Sequence, residues 1–296
     1  MTGGGGFIGS HLVRRLVSLG HNVTSLGSNR EGAESIPGAR YIYGDVSRDT
    51  LETIDFIPDT IYHLAGGSSV AASFGNLPQD FQKTVLSSVL LLDFIRRYWP
   101  QASLVYVSSA AIYGQAAHTK ASHDLACLPI SPYGVHKRQV ESLLLDHARM
   151  FQTRSVIVRP FSVYGPGLRK QLLWDAMEKA RRGVFEFFGS GAELRDWVYV
   201  SDLVECLTGA SKDAGTAVPV FNAGTCRAVS VREVLQELFS AAGYERQPVF
   251  LGKPKEGDPD SLVAEDSAES SLGSLFNTPL RAGLEAYVRW YREQQQ

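Results

Sequence analysis

The stretch that decides the fold is residues 2–9, Thr2-Gly3-Gly4-Gly5-Gly6-Phe7-Ile8-Gly9. A helix is expected directly after it, over residues 10–19, because apolar side chains recur there at helical spacing. Gly3 permits a tight turn, Gly6 lets the backbone approach a pyrophosphate, and Gly9 lets the helix pack closely on a sheet. Free N–H groups at the start of such a helix attract phosphate. The stretch therefore predicts the phosphate-binding loop of a nucleotide-binding fold.

The strand that normally leads into such a loop is missing from the sequence, since Met1 alone precedes Thr2. In this kind of fold that strand lies mid-sheet and is buried on both faces. Its loss would expose the edges of the strands on either side. We therefore expect that the true polypeptide begins several residues earlier, or that the chain as numbered is truncated.

Strand-like and helix-like segments alternate through the first half, which predicts an α/β fold with a doubly wound parallel sheet. Its strands are predicted at residues 21–26, 39–43, 60–64, 103–107 and 155–158, and its long helices at 80–98 and 132–150. Further helices are predicted at 172–182, 231–242 and 280–292. We predict a nucleotide-binding domain over residues 1–160 and a smaller carboxy-terminal lobe over 161–296, with parts of 195–225 packing back on the first domain.

Composition excludes several classes of function. The chain has 296 residues and a formal net charge of -2, and no basic stripe indicates nucleic-acid binding. Its apolar stretches are too short to span a membrane. Cys127, Cys206 and Cys226 are odd in number and widely spaced, which favours reduced thiols and gives no metal-ligand spacing. We predict a cytoplasmic protein without metal, membrane or nucleic-acid partners.

Three residues form a candidate catalytic group. Tyr133 and Lys137 are four residues apart and share one face of the predicted helix. An ammonium near a phenol favours the phenolate and lowers its pKa, so the tyrosine can exchange a proton near neutral pH. A Tyr-x-x-x-Lys spacing often arises by chance, but Ser109 stands at the carboxyl end of an apolar strand. Together they predict a site for oxidation and reduction between a hydroxyl and a carbonyl, with a cofactor moving the hydride.

With these residues in place, the chain resembles the extended short-chain dehydrogenases/reductases of the nucleotide-sugar epimerase/dehydratase family. The resemblance covers essentially the whole length. The matching segments, in order, are residues 2–9, 44–46, 63–65, 109–114, 131–137, 159–161, 164–167, 195–196, 222–224 and 257–259.

The resemblance implies a Rossmann-type cofactor domain, a lobe that holds a nucleoside-diphosphate sugar, and a homodimer formed by helices 80–98 and 132–150. It implies Ser109, Tyr133 and Lys137 as catalytic residues. It implies a cofactor site of Gly3, Gly6, Phe7, Ile8, Gly9, Ser28, Asn29, Arg30, Asp45, Val46, Leu64, Ala65, Gly66, Tyr133, Lys137 and Pro160. It implies a substrate site of Ser69, Ser109, Ala110, Ser162, Arg195, Lys255 and Asp258.

Departures from the family pattern bear on the reaction. Ala110 and Ala111 stand where members that eliminate water carry acidic residues, and a glutamate at position 111 is usual in decarboxylating members. Both reactions are therefore disfavoured. Lys255 stands where a second arginine is usual and keeps the charge without the bidentate fork. Ser162 replaces a usual asparagine.

The end of the second strand bears on the cofactor. Gly27 stands where an NAD site normally has an acid, and Arg30 is available for a 2′-phosphate, although it could equally be a solvated loop residue. This favours NADP(H), with NAD possible. We therefore expect NADPH-dependent reduction of a nucleoside-diphosphate 4-keto-(6-deoxy)hexose, with Tyr133 as proton donor.

Two alternatives stay open. The first is a 4-epimerase that resembles UDP-glucose 4-epimerase and keeps a tightly bound NAD. The second is a sensor that binds NADP(H) without catalysis, against which the intact Ser109, Tyr133 and Lys137 argue. His136 and Cys127 lie near the catalytic segment, and either could act as a second acid or base in an epimerase. On the plainer interpretation, His136 is a helix-surface residue and Cys127 packs in a loop.

Overall fold

The computed structural model describes residues 1–28, 35–115, 120–253, 257–265 and 275–295. Its α-helices are α1 (Phe7–Ser18), α2 (Arg48–Glu52), α3 (Val70–Gly75), α4 (Leu77–Phe81), α5 (Ser87–Tyr98), α6 (Pro132–Phe151), α7 (Gln171–Arg181), α8 (Val200–Ala210), α9 (Val231–Ala241) and α10 (Leu280–Glu293). Its strands are β1 (Val23–Gly27), β2 (Ala39–Tyr43), β3 (Thr60–His63), β4 (Ser103–Val107), β5 (Arg154–Pro160), β6 (Ser162–Tyr164), β7 (Glu186–Phe187), β8 (Leu194–Arg195), β9 (Trp197–Tyr199), β10 (Val220–Ala223), β11 (Val229–Ser230), β12 (Val249–Phe250) and β13 (Ser261–Leu262). A π-helical turn (Gln82–Leu86) joins α4 to α5, and 3-10 helices cover Ala110–Tyr113 and Ser211–Asp213.

A parallel sheet forms the centre of the fold. Strands β3, β4, β5 and β10 pair in that spatial order, and β1 pairs with β2, all in parallel. Thr2 joins the two parts, because it makes parallel bridges to Leu26 of β1 and His63 of β3. This arrangement confirms the predicted α/β class with a parallel sheet.

Met1–Gly3 occupy the last part of the position that the missing strand would take. Thr2 N donates to Tyr62 O at 2.9 Å, and Leu64 N donates to Thr2 O at 3.1 Å. On the other side, Gly3 N donates to Leu26 O at 2.8 Å, and Leu26 N donates to Met1 O at 2.8 Å. Met1–Gly3 thus connect β1 and β3 at the carboxyl end of the sheet, where the glycine-rich loop begins.

Helices cover both faces of the sheet. On β4, Val105 and Val107 pack in the core cluster that includes α1 and α8, while Leu104 and Tyr106 pack in the cluster that includes α5 and α6. Successive side chains of a strand point to opposite faces, so a strand buried on both faces reads as a continuous apolar run. The sequence of β4 has this pattern.

A third core cluster lies in the second half of the chain, where α7, α9 and α10 pack together around Phe239 and Tyr287. Strand β10, from residues 220–223, nevertheless pairs with β5 in the central sheet. The predicted domain division at residue 160 stays a prediction. The two halves of the chain are interleaved at this strand.

The predicted helix 80–98 is interrupted. Its first part begins earlier, at Leu77, where the Asn76 side chain accepts a hydrogen bond from Gln79 N at 3.1 Å. A π-helical turn follows, and the carbonyl of its Thr84 accepts a hydrogen bond from Ser88 Oγ of α5 at 2.6 Å. Apolar periodicity predicts a helix here but does not reveal the wider turn, because a π-helical turn changes the spacing by one residue only. Further along the chain, Arg195 ends β8, Trp197–Tyr199 form β9, and α8 begins at Val200.

Candidate active site

The three candidate catalytic residues meet where β4 and α6 approach each other. Ser109 follows β4, and its hydroxyl accepts the Ala111 N–H at 3.1 Å as the cap of a 3-10 helix. Tyr133 is the second residue of α6, whose start is capped by Ser131, and its hydroxyl is near enough to Ser109 for that side chain to lower its pKa. Lys137 lies one turn further along α6 with its Nζ 5.9 Å from the Tyr133 ring centroid. The predicted grouping of a serine, a tyrosine and a lysine is present.

Lys137 is buried and directed at the backbone of β4. Its Nζ donates to the Val107 carbonyl at 2.8 Å and lies 5.0 Å from the Tyr106 ring centroid. Burial lowers the pKa of Lys137 to about 8, while the carboxylates of Asp80 and Glu141 act against that lowering. Burial disfavours the charged form of an amine, so the ammonium depends on these carboxylates.

The environment of Tyr133 differs from the expectation. Burial raises the pKa of Tyr133 above its ordinary value; the Ser109 hydrogen bond lowers it, and the charge of Asp80 raises it. The Lys137 ammonium, which is hydrogen bonded to Val107 O at 2.8 Å, does not offset this rise. Desolvation of the phenol therefore outweighs the effect of the nearby Lys137 charge on the pKa of Tyr133.

One cavity of about 1520 Å³ brings the predicted site residues together. All of the predicted cofactor and substrate residues that the structure describes line it. Asn29, Arg30 and Lys255 lie outside the described residues. A site for one small ligand has roughly 300–1,000 Å³. This cavity therefore has room for a cofactor and a second ligand.

The glycine-rich loop fits a pyrophosphate. The N-cap of α1 is Gly6, and no side chain caps this helix end. Phe7, Ile8 and Gly9 at the start of α1 line the cavity, so their N–H groups are placed to meet an anion. A Cβ on Gly9 would lie 2.2 Å from the Gly3 carbonyl oxygen. A glycine is therefore required there for the loop to lie against the helix.

His63 fixes the segment that crosses beneath this loop. Ser88 Oγ donates to Thr84 O at 2.6 Å, so it accepts from His63 Nε2 at 2.9 Å. His63 Nδ1 is then the acceptor for the Thr2 hydroxyl at 2.6 Å. Burial lowers the pKa of His63 to about 3, with a further lowering from Lys137. A neutral imidazole with its proton on Nε2 thus ties β3 to the start of the glycine-rich loop.

A buried ion pair lies behind the catalytic serine segment. Arg159 donates to Glu141 Oε1 at 3.1 Å and Oε2 at 2.7 Å, and both side chains are buried. Arg159 also donates to the Tyr113 hydroxyl at 2.8 Å, and that hydroxyl donates to Asn222 at 2.6 Å. The network connects α6, β5, β10 and the 3-10 helix that Ser109 caps.

The far half of the cavity is lined by the carboxy-terminal half of the chain. Arg195 is buried, rather than a surface charge, and pairs with Asp258. Phe188 is 59% exposed and lines the same space, where an aromatic face is available for stacking on a base. Lys170 and Gln171 at the start of α7 also line it, and Gln171 has φ 67°, a strained value for a residue other than glycine. Sequence reasoning missed these three; the aromatic pair before Gly189 was the available signal for Phe188.

His136 departs from the plainer interpretation of a helix-surface residue, while Cys127 agrees with that of loop packing. His136 is buried rather than on the helix surface, and its Nδ1 lies 2.5 Å from Asp80 Oδ2. Cys127 is half-buried with its Sγ 3.8 Å from the Leu125 carbonyl, and burial raises the pKa of its thiol. The second observation favours packing over acid–base chemistry for Cys127.

The described residues contain no group of three or more histidine, cysteine, aspartate or glutamate side chains placed to hold a metal ion. Among the helices in the described part of the chain, none has the length and apolar character to cross a membrane.

Residues 1–224 match the family model described as "NAD dependent epimerase/dehydratase family". The chain belongs to this family. A UDP-glucose 4-epimerase of Azospirillum brasilense is 30% identical over 326 residues, which cover 100% of this chain and 92% of that protein. These matches confirm the resemblance of this chain to the epimerase/dehydratase family, which its motifs predicted.

Solved structures of the family agree with this fold. The UDP-glucose 4-epimerase of Thermotoga maritima, solved with UDP-glucose, has a TM-score of 0.90 and 27% identity over 100% of this chain and 98% of its own. MoeE5, solved with UDP-glucose and NAD, has a TM-score of 0.84 and 32% identity over 100% of this chain and 98% of its own. These neighbours confirm the Rossmann-type fold and an enzyme of the nucleotide-sugar class. Neither they nor the Azospirillum protein supports the expected reductase or the preference for NADP(H).

Proposed function

We propose that this protein interconverts the C4 epimers of a nucleoside-diphosphate hexose with a resident NAD. One observation carries the proposal: Ser109, Tyr133 and Lys137 line the same cavity as the glycine-rich loop and Arg195. A cofactor held at the loop and a nucleotide held at Arg195 would meet at these three residues. The epimerases among the relatives support this reaction over the reductase.

The residues of the chain have separable tasks in this reaction. A bound NAD would supply the acceptor and donor of the C4 hydride. Tyr133 takes the proton from the C4 hydroxyl and later gives it back, and the Ser109 hydroxyl steadies the C4 oxygen. Lys137, as an ammonium, favours the phenolate form of Tyr133. Ala110 and Ala111 line the cavity with small side chains, which would leave room for the sugar to present its other face to the cofactor.

We place the nucleotide in the far half of the cavity. The Arg195 guanidinium suits a diphosphate because it offers a planar set of donors, and Phe188 offers a face for the base. In the structure Asp258 pairs with Arg195, so a bound diphosphate would compete with this carboxylate.

The cofactor proposal depends on the end of β1. Gly27 puts no carboxylate there to bind ribose hydroxyls, and the residues directly beyond Ser28 are outside the described part. We propose NAD because an epimerase must keep an oxidised cofactor, and NAD is present in the solved MoeE5. Chromatographic analysis of the cofactor released by denaturing the purified protein separates NAD from NADP(H).

The activity test uses UDP-glucose and UDP-galactose as probes. We expect interconversion with no net change in nicotinamide absorbance, and its loss in Tyr133→Phe. NADPH consumption with a nucleoside-diphosphate 4-keto sugar, without interconversion, would instead establish the reductase. Cofactor binding without turnover of either kind of substrate would favour the sensor.

We also propose a homodimer through α5 and α6. Val89 on α5 and Leu145 on α6 are 40% and 51% exposed, so both side chains are available for a contact between two copies of the chain. A Val89→Glu, Leu145→Glu double variant should convert a dimer to a monomer in light scattering coupled to size exclusion. A wild-type protein that is monomeric at micromolar concentration contradicts the proposal.

A further inference from the structure

A buried pair of residues lies beside the catalytic lysine and takes no part in the mechanism above. His136 Nδ1 and Asp80 Oδ2 are 2.5 Å apart, and each side chain is only 7% exposed. A carboxylate accepts hydrogen bonds, so Nδ1 carries the shared proton. The edge of Phe81 packs against the imidazole, with ring centroids 5.5 Å apart. The imidazole is therefore fixed in place by the carboxylate and an aromatic ring.

The pair and the catalytic lysine lie on the two sides of a glycine segment. A Cβ on Gly67 would lie 1.9 Å from Asp80 Oδ1, so the carboxylate rests against the backbone there. A Cβ on Gly66 would lie 3.6 Å from Lys137 Nζ. The Asp80 carboxylate and the Lys137 ammonium thus lie against two adjacent glycines, and neither glycine places a side chain between them.

Asp80 has a charge that is less neutralised than that of the other carboxylate near Lys137. Glu141 is held by both arms of the Arg159 guanidinium, which is always charged. Within the described residues, the ion pair of Asp80 is with His136 alone. When the imidazole is neutral, the Asp80–His136 pair keeps one negative charge. The charge of Asp80 raises the pKa of Lys137 and also that of Tyr133.

Other groups around the pair are titratable or charged. Those that face it or the lysine are Tyr133 and Glu141 on α6, Tyr106 on β4, His63 on β3 and the exposed Lys83 in the π-helical turn. His63 is neutral in the working range, and Glu141 is paired with Arg159. Lys83 is solvated at the cavity wall. Asp80 is thus the carboxylate whose removal changes the field at Lys137 most directly.

We propose that Asp80 and His136 form a positioning pair for Lys137, in which the imidazole holds the buried carboxylate ionised and the carboxylate keeps the lysine ammonium charged. The proposal rests on the proposed function for the role of Lys137 in turnover. The charge state of Lys137 itself can be measured without any substrate.

The test measures the titration of Lys137 by NMR in protein carrying isotope-labelled lysine, with the resonance assigned by its absence in Lys137→Arg. In Asp80→Asn we expect the midpoint to move to lower pH by about one unit, because an opposite charge nearby has been removed. His136→Leu should move it the same way, since a buried carboxylate without a donor takes up a proton. His136→Asn should restore the wild-type midpoint, because its amide can donate from the place of Nδ1.

A matched control removes a carboxylate that faces solvent. Asp93 on α5 pairs with Arg96 and Arg97 and is 46% exposed. Asp93→Asn should leave the Lys137 midpoint unchanged. If Asp80→Asn unfolds, the His136→Leu and His136→Asn pair decides. An unshifted midpoint in folded Asp80→Asn, or equal midpoints in the two His136 variants, overturns the proposal.

A kinetic readout connects the pair to turnover. The fall of kcat/KM at high pH should move to lower pH in Asp80→Asn and His136→Leu, but not in His136→Asn. A purely structural role would lower activity at every pH without moving that limb. If wild-type protein shows no epimerisation, the proposed function fails, while the NMR titration still decides the role of the pair.

Discussion

Alanine substitutions at Gly6 and Gly9 would distinguish two roles of the glycine-rich loop. Gly6 would contact the pyrophosphate, whereas Gly9 allows α1 to pack against the loop. A Cβ on Gly9 would lie 2.2 Å from Gly3 O and 2.8 Å from Gly4 Cα. Both are backbone atoms, so the loop itself must move. A Cβ on Gly6 would have Gly3 O as its nearest neighbour at 3.3 Å. The φ of Gly6 is -79° and its ψ 173°, which any residue adopts.

These distances give different magnitudes for the two variants. Overpacking at Gly9 should cost about 3 kcal/mol, and about 1 kcal/mol is recovered because alanine favours a helix. The net loss of about 2 kcal/mol lowers Tm by about 3 °C in a chain of this size. Gly6→Ala should cost no more than about 1 kcal/mol, since alanine is only a poorer N-cap. Its methyl group enters the cavity, so NAD affinity should fall at least about tenfold, or 1.4 kcal/mol.

Thermal unfolding of the cofactor-free protein and calorimetric titration with NAD measure the two effects separately. Gly9→Ala should lose both stability and affinity, while Gly6→Ala should lose affinity with little loss of stability. If Gly6→Ala binds NAD as tightly as the wild type, the pyrophosphate does not lie against this loop. If Gly9→Ala unfolds at the wild-type temperature, the loop is not held as closely as the distances state.

Three further outcomes test the site. Tyr133→Phe should lower kcat by about a hundredfold to ten-thousandfold, as expected for loss of a proton-transfer group, with NAD affinity retained in calorimetry. Glu141→Gln should lower the free energy of unfolding by about 3–5 kcal/mol, because it leaves the buried Arg159 without its carboxylate partner. Urea titration measures this loss, and a loss smaller than about 1 kcal/mol would contradict the prediction. Activity should fall above about pH 8, because the pKa of Lys137 is about 8 and its ammonium is lost above that value. Measured kcat/KM between pH 6 and 10 checks this, and Lys137→Arg, if active, should show no such fall.

Local patterns predicted much of the fold and the site. Lys137 follows Tyr133 by one helical turn, and Ser109 follows an apolar strand, so both could be placed from neighbouring residues alone. The glycine-rich loop likewise carries its geometry in its own sequence. The bounds of β2 and β4 match the predicted ones because continuous apolar or alternating runs specify strands directly.

Contacts between distant residues could not be predicted in this way. Asp80 and His136 are 56 positions apart, and nothing near either indicates the other. The direction of the Tyr133 pKa depends on burial, which a helical spacing does not reveal. The place of Met1–Gly3 between β1 and β3 is another case, because two or three residues are too short to show a strand pattern.

Strand β10 has a consequence for the order in which the chain can fold during synthesis. The edge of β5 is covered by residues 220–223, and Ile157 and Val158 on β5 are fully buried. A ribosome makes the first 160 residues well before this strand emerges, so the nascent sheet would carry an open edge in the meantime. We expect the nucleotide-binding part to become resistant to protease only after residue 223 of 296 has left the ribosome. The cofactor would then bind late in the synthesis of the chain or after it.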